Sequence, residues 1–476
     1  METLITYQDY QSANDKTQFI RNAITTYKNS KEFTDAVEAE AYFRADNTAI
    51  KHRPKWTMKK SGKVFYFQKN ITISNFLFRF VTQQNQYLLA NGLQLKDQDL
   101  KDQLGIGFDK TLESVGEKAL VHGSCWGFWN NDHLEKFEIA SVNKLNGFMP
   151  LFDELTGEAV VGIKFWQIDT GRPMIISLYE LDGVTVYKDS KKDESIEILQ
   201  DKKPYKISKI KFSNGKEIIE GSSNYNGSLP IIPLYANDFK KPEFSPSIKT
   251  KIDMFDKIFS DFGDNLERTN DIYWVISNFG GNAPRAKELL AEIEEYKAVF
   301  NSGTGAGASA EPRTIDVPYA ARQTALEILE NSLYADYMSM NMSEITGGSL
   351  TNVAIDTARF NLDTKTNRYE WQVFQFVQKI LNLKGTVTED IKFRRQSIAN
   401  QSENIGNVIT EFEAGLIDRR TALEKLDNID PDEIDVIMAR LAEEETEKSQ
   451  IDFTSLDNRV VSTEVGEEDN TDVGEN

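Results

Sequence analysis

One cysteine, Cys125, stands in the run Gly123-Ser124-Cys125-Trp126, and it is the residue whose type and setting most resemble a nucleophile. Such chemistry needs a thiolate paired with a histidine, which usually lies ~130–150 residues downstream of a cysteine in this setting. The only downstream histidine is His133, eight residues on. The run also falls mid-chain, between a helical and a strand-like pattern, so Cys125 reads as a buried structural residue. His52, His122 and His133 show no metal-ligand spacing, and a zinc site would have to use carboxylates. The glycine-rich stretch 303–307 lacks the terminal Gly-Lys-Ser/Thr of a phosphate loop and the glycine spacing of a dinucleotide loop, and reads as a mobile loop. The carboxylates from Asp427 to Asp435 lack the glycine and spacing of a calcium loop, and helix capping explains them better. These residues predict no catalytic centre, no metal and no cofactor: the chain is not expected to be an enzyme.

Composition bounds the remaining classes. The 476 residues are 39% hydrophobic and 11% aromatic, enough for a packed core and ordinarily for several domains. Asp and Glu number 75 against 55 Lys and Arg, a formal charge of −20. Such a surface repels phosphate backbones, so a protein that grips nucleic acid by counterion release is disfavoured, as is an anionic membrane partner. Surrounding DNA without holding it remains allowed. Residues 441–476 carry 12 acidic and 2 basic residues, half of the formal charge, and read as a disordered tail. With one cysteine there is no intrachain disulfide framework. The N-terminus lacks the basic and apolar regions of a signal peptide, and no window approaches ~18 consecutive apolar residues. The expectation is a soluble protein made in the cytoplasm.

The elements that must position any functional residue read as follows. Residues 1–45 are mostly helical, and Lys63–Phe67 form a strand. An amphipathic helix places Ile73, Phe76, Leu77, Phe80, Val81, Tyr87 and Leu88 on one face. Residues 108–122 repeat that pattern. From about 123 to 235, short alternating runs punctuated by Asp169-Thr170-Gly171 and Ser213-Asn214-Gly215 predict antiparallel β-structure. Ser245-Pro246 is a strong helix start. Beyond it Ile248, Ile252, Phe255, Phe259, Phe262 and Leu266 recur at spacings of four and three, one narrow apolar stripe on a helix running to about Ile276. Roughly 30 residues at ~1.5 Å each make a rod of about 45 Å whose seam another helix must cover, in this chain or a neighbour. A small unit follows at 277–317, with a helix from Arg285 to Phe300. A helix returns from Pro318 to about Met338. A Ser/Gly/Thr/Asn segment at 339–352 interrupts it, and a long helix runs from Val353 to about Leu383. A strand, Ile391 to Arg394, precedes helices at 399–447 with turns at Ala414-Gly415 and Asp427-Asn428, and a second helix start at Asp430-Pro431.

This order of parts resembles the portal family of tailed bacteriophages, in particular siphophages infecting Gram-positive hosts. Four local stretches carry the likeness as well: Tyr87 to Gly92 closing a helix, Ala119 to Gly123 before the β-region, Gly347 to Ala354 opening the long helix, and Gly415 to Ala422 before an acidic helix. Asp418 stands where many relatives carry serine, and both are good N-caps. The resemblance implies an α+β portal fold. It comprises a wing at 1–245 joined by the long helix and returning strand of 353–398, stem helices at 246–276 and 318–338, a clip at 277–317, a channel loop at 339–352, a crown at 399–447 and the tail at 448–476. It implies a ring of about twelve copies at one capsid vertex of the virion, through which double-stranded DNA is packaged and ejected. The implied partners are the terminase large subunit, a head–tail adaptor, and the major capsid and scaffolding proteins, with no membrane. Ser339, Asn341, Ser343, Glu344, Thr346, Ser349, Thr351 and Asn352 would line the channel. Arg285, Lys287, Glu288, Glu292 and Glu295 would face the motor, and the stripe from Ile248 to Leu266 would pack the stem. Two other classes are carried beside this one: a papain-like cysteine hydrolase using Cys125, and a monomeric scaffold whose rod helix binds partner helices.

Overall fold

The structure is a computed structural model that describes residues 5–53, 57–60, 63–66, 70–190, 196–213, 216–225, 227–269, 273–276, 298–299, 310–313, 319–341, 352–386, 390–395, 401–426, 429 and 433–446. The expected clip residues from Arg285 to Glu295, the loop 303–307, the channel-loop residues Ser343, Glu344, Thr346, Ser349 and Thr351, the helix start at Asp430-Pro431 and the tail lie outside the described residues. Helices and strands are mixed throughout, an α+β protein. The chain divides into two compact units, one formed by Met1–Asn341 with Arg359–Gln396, the other by Met342–Ala358 with Ser397–Asn476.

In the first unit, five strands form an antiparallel meander in sequence order: Gly147–Phe152, Ala159–Trp166, Met174–Glu180, Gly183–Asp189 and Glu197–Lys203. Alternation buries Ile163, Phe165, Ile176 and Leu178 on one face, where Ile20, Ile24 and Phe33 of the Lys16–Lys28 and Lys31–Phe43 helices join them. Both helices begin at side-chain caps: Asp15 accepts from the Thr17 and Gln18 amides, and Ser30 from that of Phe33.

The larger core lies around a three-stranded sheet, Ile231–Tyr235, Ser124–Asn130 and His133–Glu138. The Phe76–Leu89 and Phe108–His122 helices contribute to this core, as does the 33-residue helix Asn352–Lys384, whose Tyr369, Val373, Phe376, Ile380 and Leu381 make a buried stripe. Gly123 ends the Phe108–His122 helix with φ +89°, and a Cβ there would sit 2.7 Å from the Lys241 carbonyl carbon. Only glycine serves at that junction. Ile391–Phe393 returns to pair antiparallel with Leu93–Leu95.

Two boundaries differ from the sequence expectation. The amphipathic helix begins at Phe76 rather than at Ile73, because residues 70–75 are held in non-helical form against another helix, as described below. The rod helix spans Pro246–Thr269, 24 residues or about 36 Å, and stops short of Ile276. Beyond it Tyr273–Ile276 is the central strand of a small sheet, parallel to Ala298–Val299 and antiparallel to Ala310–Arg313. The run Tyr-Trp-Val-Ile has the aromatic and β-branched character of a strand. The returning helix, Tyr319–Tyr337, is terminated by Met338 at φ +62°, with the Ser339 amide donating back to Tyr334 O at 3.0 Å.

The second unit contains the Gln401–Glu413 and Arg419–Glu424 helices and a helix over 433–446. Gly415, φ +71°, closes the first, and Asp418 caps the second by accepting from the Thr421 amide at 3.1 Å. An Arg419–Glu445 ion pair at 2.6 Å links the second helix to the third.

Candidate functional site at the rod helices and the residues that follow them

The Pro246–Thr269 helix is fixed on two sides. Its start is capped as expected, the Ile248 amide donating to Ser245 Oγ at 3.3 Å. Along one side, Asp256, Ser260 and Asp264 follow one another at every fourth position. Their side chains accept from the amides of Ser74 at 2.9 Å, Thr72 at 2.9 Å and Asn70 at 2.8 Å. Two residues of extended chain rise ~6.6 Å and four residues of helix ~6.0 Å, so alternate amides of one element meet successive turns of the other. Asn47 donates to the second Asp256 oxygen, Tyr42 to Asp253, and Arg53 pairs with Asp261. Burial, opposed by the hydrogen bonds from Ser74 and Asn47, raises the Asp256 carboxyl above its usual range. This ladder was not read from the sequence. Polar residues at helical spacing look like a solvated face, and the only available signal was that a Ser and two Asp shared one spacing.

The other side meets the Tyr319–Tyr337 helix. Lys251 Nζ donates to Ser332 Oγ at 2.6 Å and to Asp336 Oδ2 at 2.5 Å, which also accepts from Ser247 Oγ at 2.6 Å. Phe262 stands edge-on to Tyr319 with ring centroids 5.7 Å apart. The apolar stripe is covered unevenly. Ile248 and Ile252 are in the core, and Phe255 sits edge-on to Phe76 at 4.9 Å. Farther along, Phe259 is 42% exposed and Leu266 41%, and Met254 is 54% exposed.

Where the returning helix ends, Tyr337 is fully buried, its hydroxyl donating to Gln84 Oε1 at 2.9 Å. Lys365 Nζ donates to Tyr337 O at 2.8 Å and pairs with Glu243 at 2.7 Å. Burial lowers the Lys365 ammonium pKa, with Glu243 opposing. Of the expected channel residues, Ser339 is buried and donates to Gln83 Oε1, and Asn341 donates to Asn331 Oδ1 at 3.4 Å. Asn352 opens the long helix. Ser339 is therefore a fixed point at the end of the rod, not a free loop residue.

The cysteine reading is settled by geometry. Cys125 is wholly buried, its Sγ 3.4 Å from Phe137 O, and burial pushes its thiol pKa up, away from thiolate. In the sheet it pairs with Glu138, whereas His133 pairs with Asn130, five residues along the same strand and thus about 17 Å away. His122 is engaged elsewhere: its Nε2 lies 3.0 Å from Glu40 Oε2, and Lys118 Nζ lies 2.8 Å from each Glu40 oxygen. Arg44 Nε adds a bond of 2.7 Å. Burial alone would raise the Glu40 pKa, but hydrogen bonding and charge from His122 and Lys118 bring it down to about 2. This buried ion cluster joins the Lys31–Phe43 and Phe108–His122 helices and had no sequence signature. Among the described residues no three His, Cys, Asp or Glu side chains gather as metal ligands, and no helix is long and apolar enough to cross a membrane.

Comparison with known proteins bears on the arrangement as a whole. The family model described as phage portal protein, SPP1 Gp6-like, matches residues 22–450. Among curated proteins, the portal protein of Clostridium phage phiCD119 is 26% identical over 156 residues, 32% of this chain and 34% of that protein. The portal protein of Bacillus phage SPP1 is 27% identical over 258 residues, 51% of this chain and 50% of that protein. The chain thus aligns with about a third to a half of the length of these relatives.

Proposed function

This chain belongs to the SPP1 Gp6-like phage portal family, a family of structural proteins, and from that premise we propose that it forms a ring at one capsid vertex through which DNA enters and leaves. One observation carries the ring: the rod helix is anchored along one side, yet Phe259 and Leu266 stay about two-fifths exposed on its stripe. Covering the exposed two-fifths of such a side chain gains roughly 0.6–1.2 kcal/mol, and a neighbouring copy presents a rod at the same height. About twelve copies would close the ring.

In this reading the wing is 1–245 with 353–398, the stem the two rod helices, the clip 277–317 and the crown 399–447. The clip docks the terminase large subunit and later the head–tail adaptor, while the wing and crown meet capsid and scaffolding proteins. The segment 339–352 lines the narrowest part of the channel. Basic contacts there would add affinity for every phosphate neutralised and impede sliding. A polar and acidic lining avoids that drag, its repulsion confined by screening to about 8 Å. ATP hydrolysis belongs to a separate motor.

The test is an image and a mass. Negative-stain microscopy of the purified chain is expected to show rings with a central hole, at a mass near a dozen times 54.2 kDa. The double substitution Phe259→Glu, Leu266→Glu is expected to yield monomers with unchanged circular dichroism. Compact wild-type monomers at micromolar concentration would favour the scaffold reading and end this one.

A further inference from the structure

The chain passes out of its first unit after Asn341, re-enters it at Arg359 and leaves again after Gln396. Within that unit all three places are tied to one helix, Phe76–Leu89. At the first, the Gln83 side-chain amide holds both backbone groups of Met340: its Oε1 accepts from the amide at 3.0 Å and its Nε2 donates to the carbonyl at 3.1 Å. At the second, Arg359 Nε lies 3.2 Å from Asp363 Oδ2. At the third, Arg395 Nη1 donates to Asp363 Oδ1 at 3.0 Å and Nη2 to Glu370 Oε2 at 2.6 Å, and Arg394 O accepts from Asn91 Nδ2 at 3.0 Å. Tyr87 OH then donates to Asp363 Oδ1 at 2.6 Å. Gln83 and Tyr87 are four residues apart and so share one face of the helix.

We propose that Gln83, Tyr87 and Asp363 form a positioning latch that fixes where residues 342–358 and the chain beyond 396 depart from the first unit. The proposal deepens the channel reading of 339–352 and rests on it. Asp363 is the shared tie. One carboxylate receives two guanidinium groups from separate passages of the chain and a hydroxyl from the anchor helix. Losing the charge therefore loosens both arginines together, leaving Arg395 to its contacts with Glu370 and Asn367. Charge-assisted bonds are the stronger kind, which suits a joint that must hold under load. Gln83 is the corresponding tie for the first passage, one turn earlier.

Hydrogen exchange on the full-length assembled protein reads the latch directly. Asp363→Asn is expected to speed exchange together at the helical amides of 359–367 and at Ile391–Phe393, by roughly ten-fold or more as charged hydrogen bonds are lost. Tyr87→Phe is expected to give the same pattern at smaller amplitude, and it guards against an Asp363 variant that fails to fold. Gln83→Leu is expected to speed exchange at Met340 alone. The five-stranded sheet should be unchanged in all three. A rise confined to either 359–367 or 391–393 in the Asp363 variant, or no rise, would overturn the shared tie. DNA retention in assembled capsids is the second reading. The latch variants are expected to form rings but retain packaged DNA less well, and wild-type retention with an opened latch would overturn the positioning role. Shortening 341–349 separates the two layers. If that variant packages and retains DNA normally, the channel reading falls and the latch with it. If it fails while the latch variants do not, only the latch is lost.

Discussion

Replacing Glu40 by glutamine removes a fully buried negative charge and leaves Lys118, itself almost fully buried, with only the more distant Glu117 carboxylate at 3.9 Å. The magnitude follows from linkage. The Glu40 carboxyl is held at about 2 against an ordinary 4.5. A depressed folded-state pKa contributes stability that is present above the unfolded value and lost as pH falls through the folded one. Two and a half units correspond to about 3 kcal/mol, present above pH ~4.5 and gone near pH ~2. Orphaning a buried partner independently suggests roughly 3–5 kcal/mol. The assay is denaturant unfolding of wild type and Glu40→Gln at equal protein concentration, at intervals from pH 7 down to 2. The wild type is expected to be more stable by about 3 kcal/mol at pH 7, and the gap should close between pH ~4.5 and ~2. Parallel curves differing by less than ~0.5 kcal/mol would refute the reasoning, since the cluster would then add nothing beyond its desolvation cost.

Asp256→Ala is expected to cost about 2–4 kcal/mol by stranding the Ser74 amide and the Asn47 side chain, and Ser260→Ala only about 1, both measured by denaturant midpoint. Gly123→Ala combines a left-handed backbone with a clash against Lys241, so soluble yield and melting temperature should both fall sharply. Cys125→Ser should leave ring assembly and DNA packaging intact, and a thiol reagent should modify wild-type Cys125 only once the protein is unfolded.

Local chemistry was legible in the sequence, and long-range cover was not. Ser245-Pro246, Gly415 and Asp418 each act through groups within five residues, so a single chain shows them. The end of the rod was misplaced because Tyr273, Trp274 and Ile276 continue an apolar pattern while switching to strand-forming residues. The stripe from Ile248 to Leu266 announced a face but not its partner, and that partner decides that Ile252 is buried while Leu266 is not. Asp256 and Asp264 look solvated until the segment 70–74, roughly 190 residues earlier, is laid against them. Glu40, Lys118 and His122 likewise meet only after two helices have packed. Ser339 belonged by composition to a polar loop, yet the left-handed Met338 turns it inward onto Gln83.

The three rungs between residues 70–74 and the rod lie side by side along its length. A force that drives the rod lengthwise loads them all in shear at once, whereas a force that lifts its free end peels them singly. Such a joint is stiff against thrust along its axis and yielding to sideways prying. In the ring proposed above, cargo pushing along the rods would meet the stiff direction.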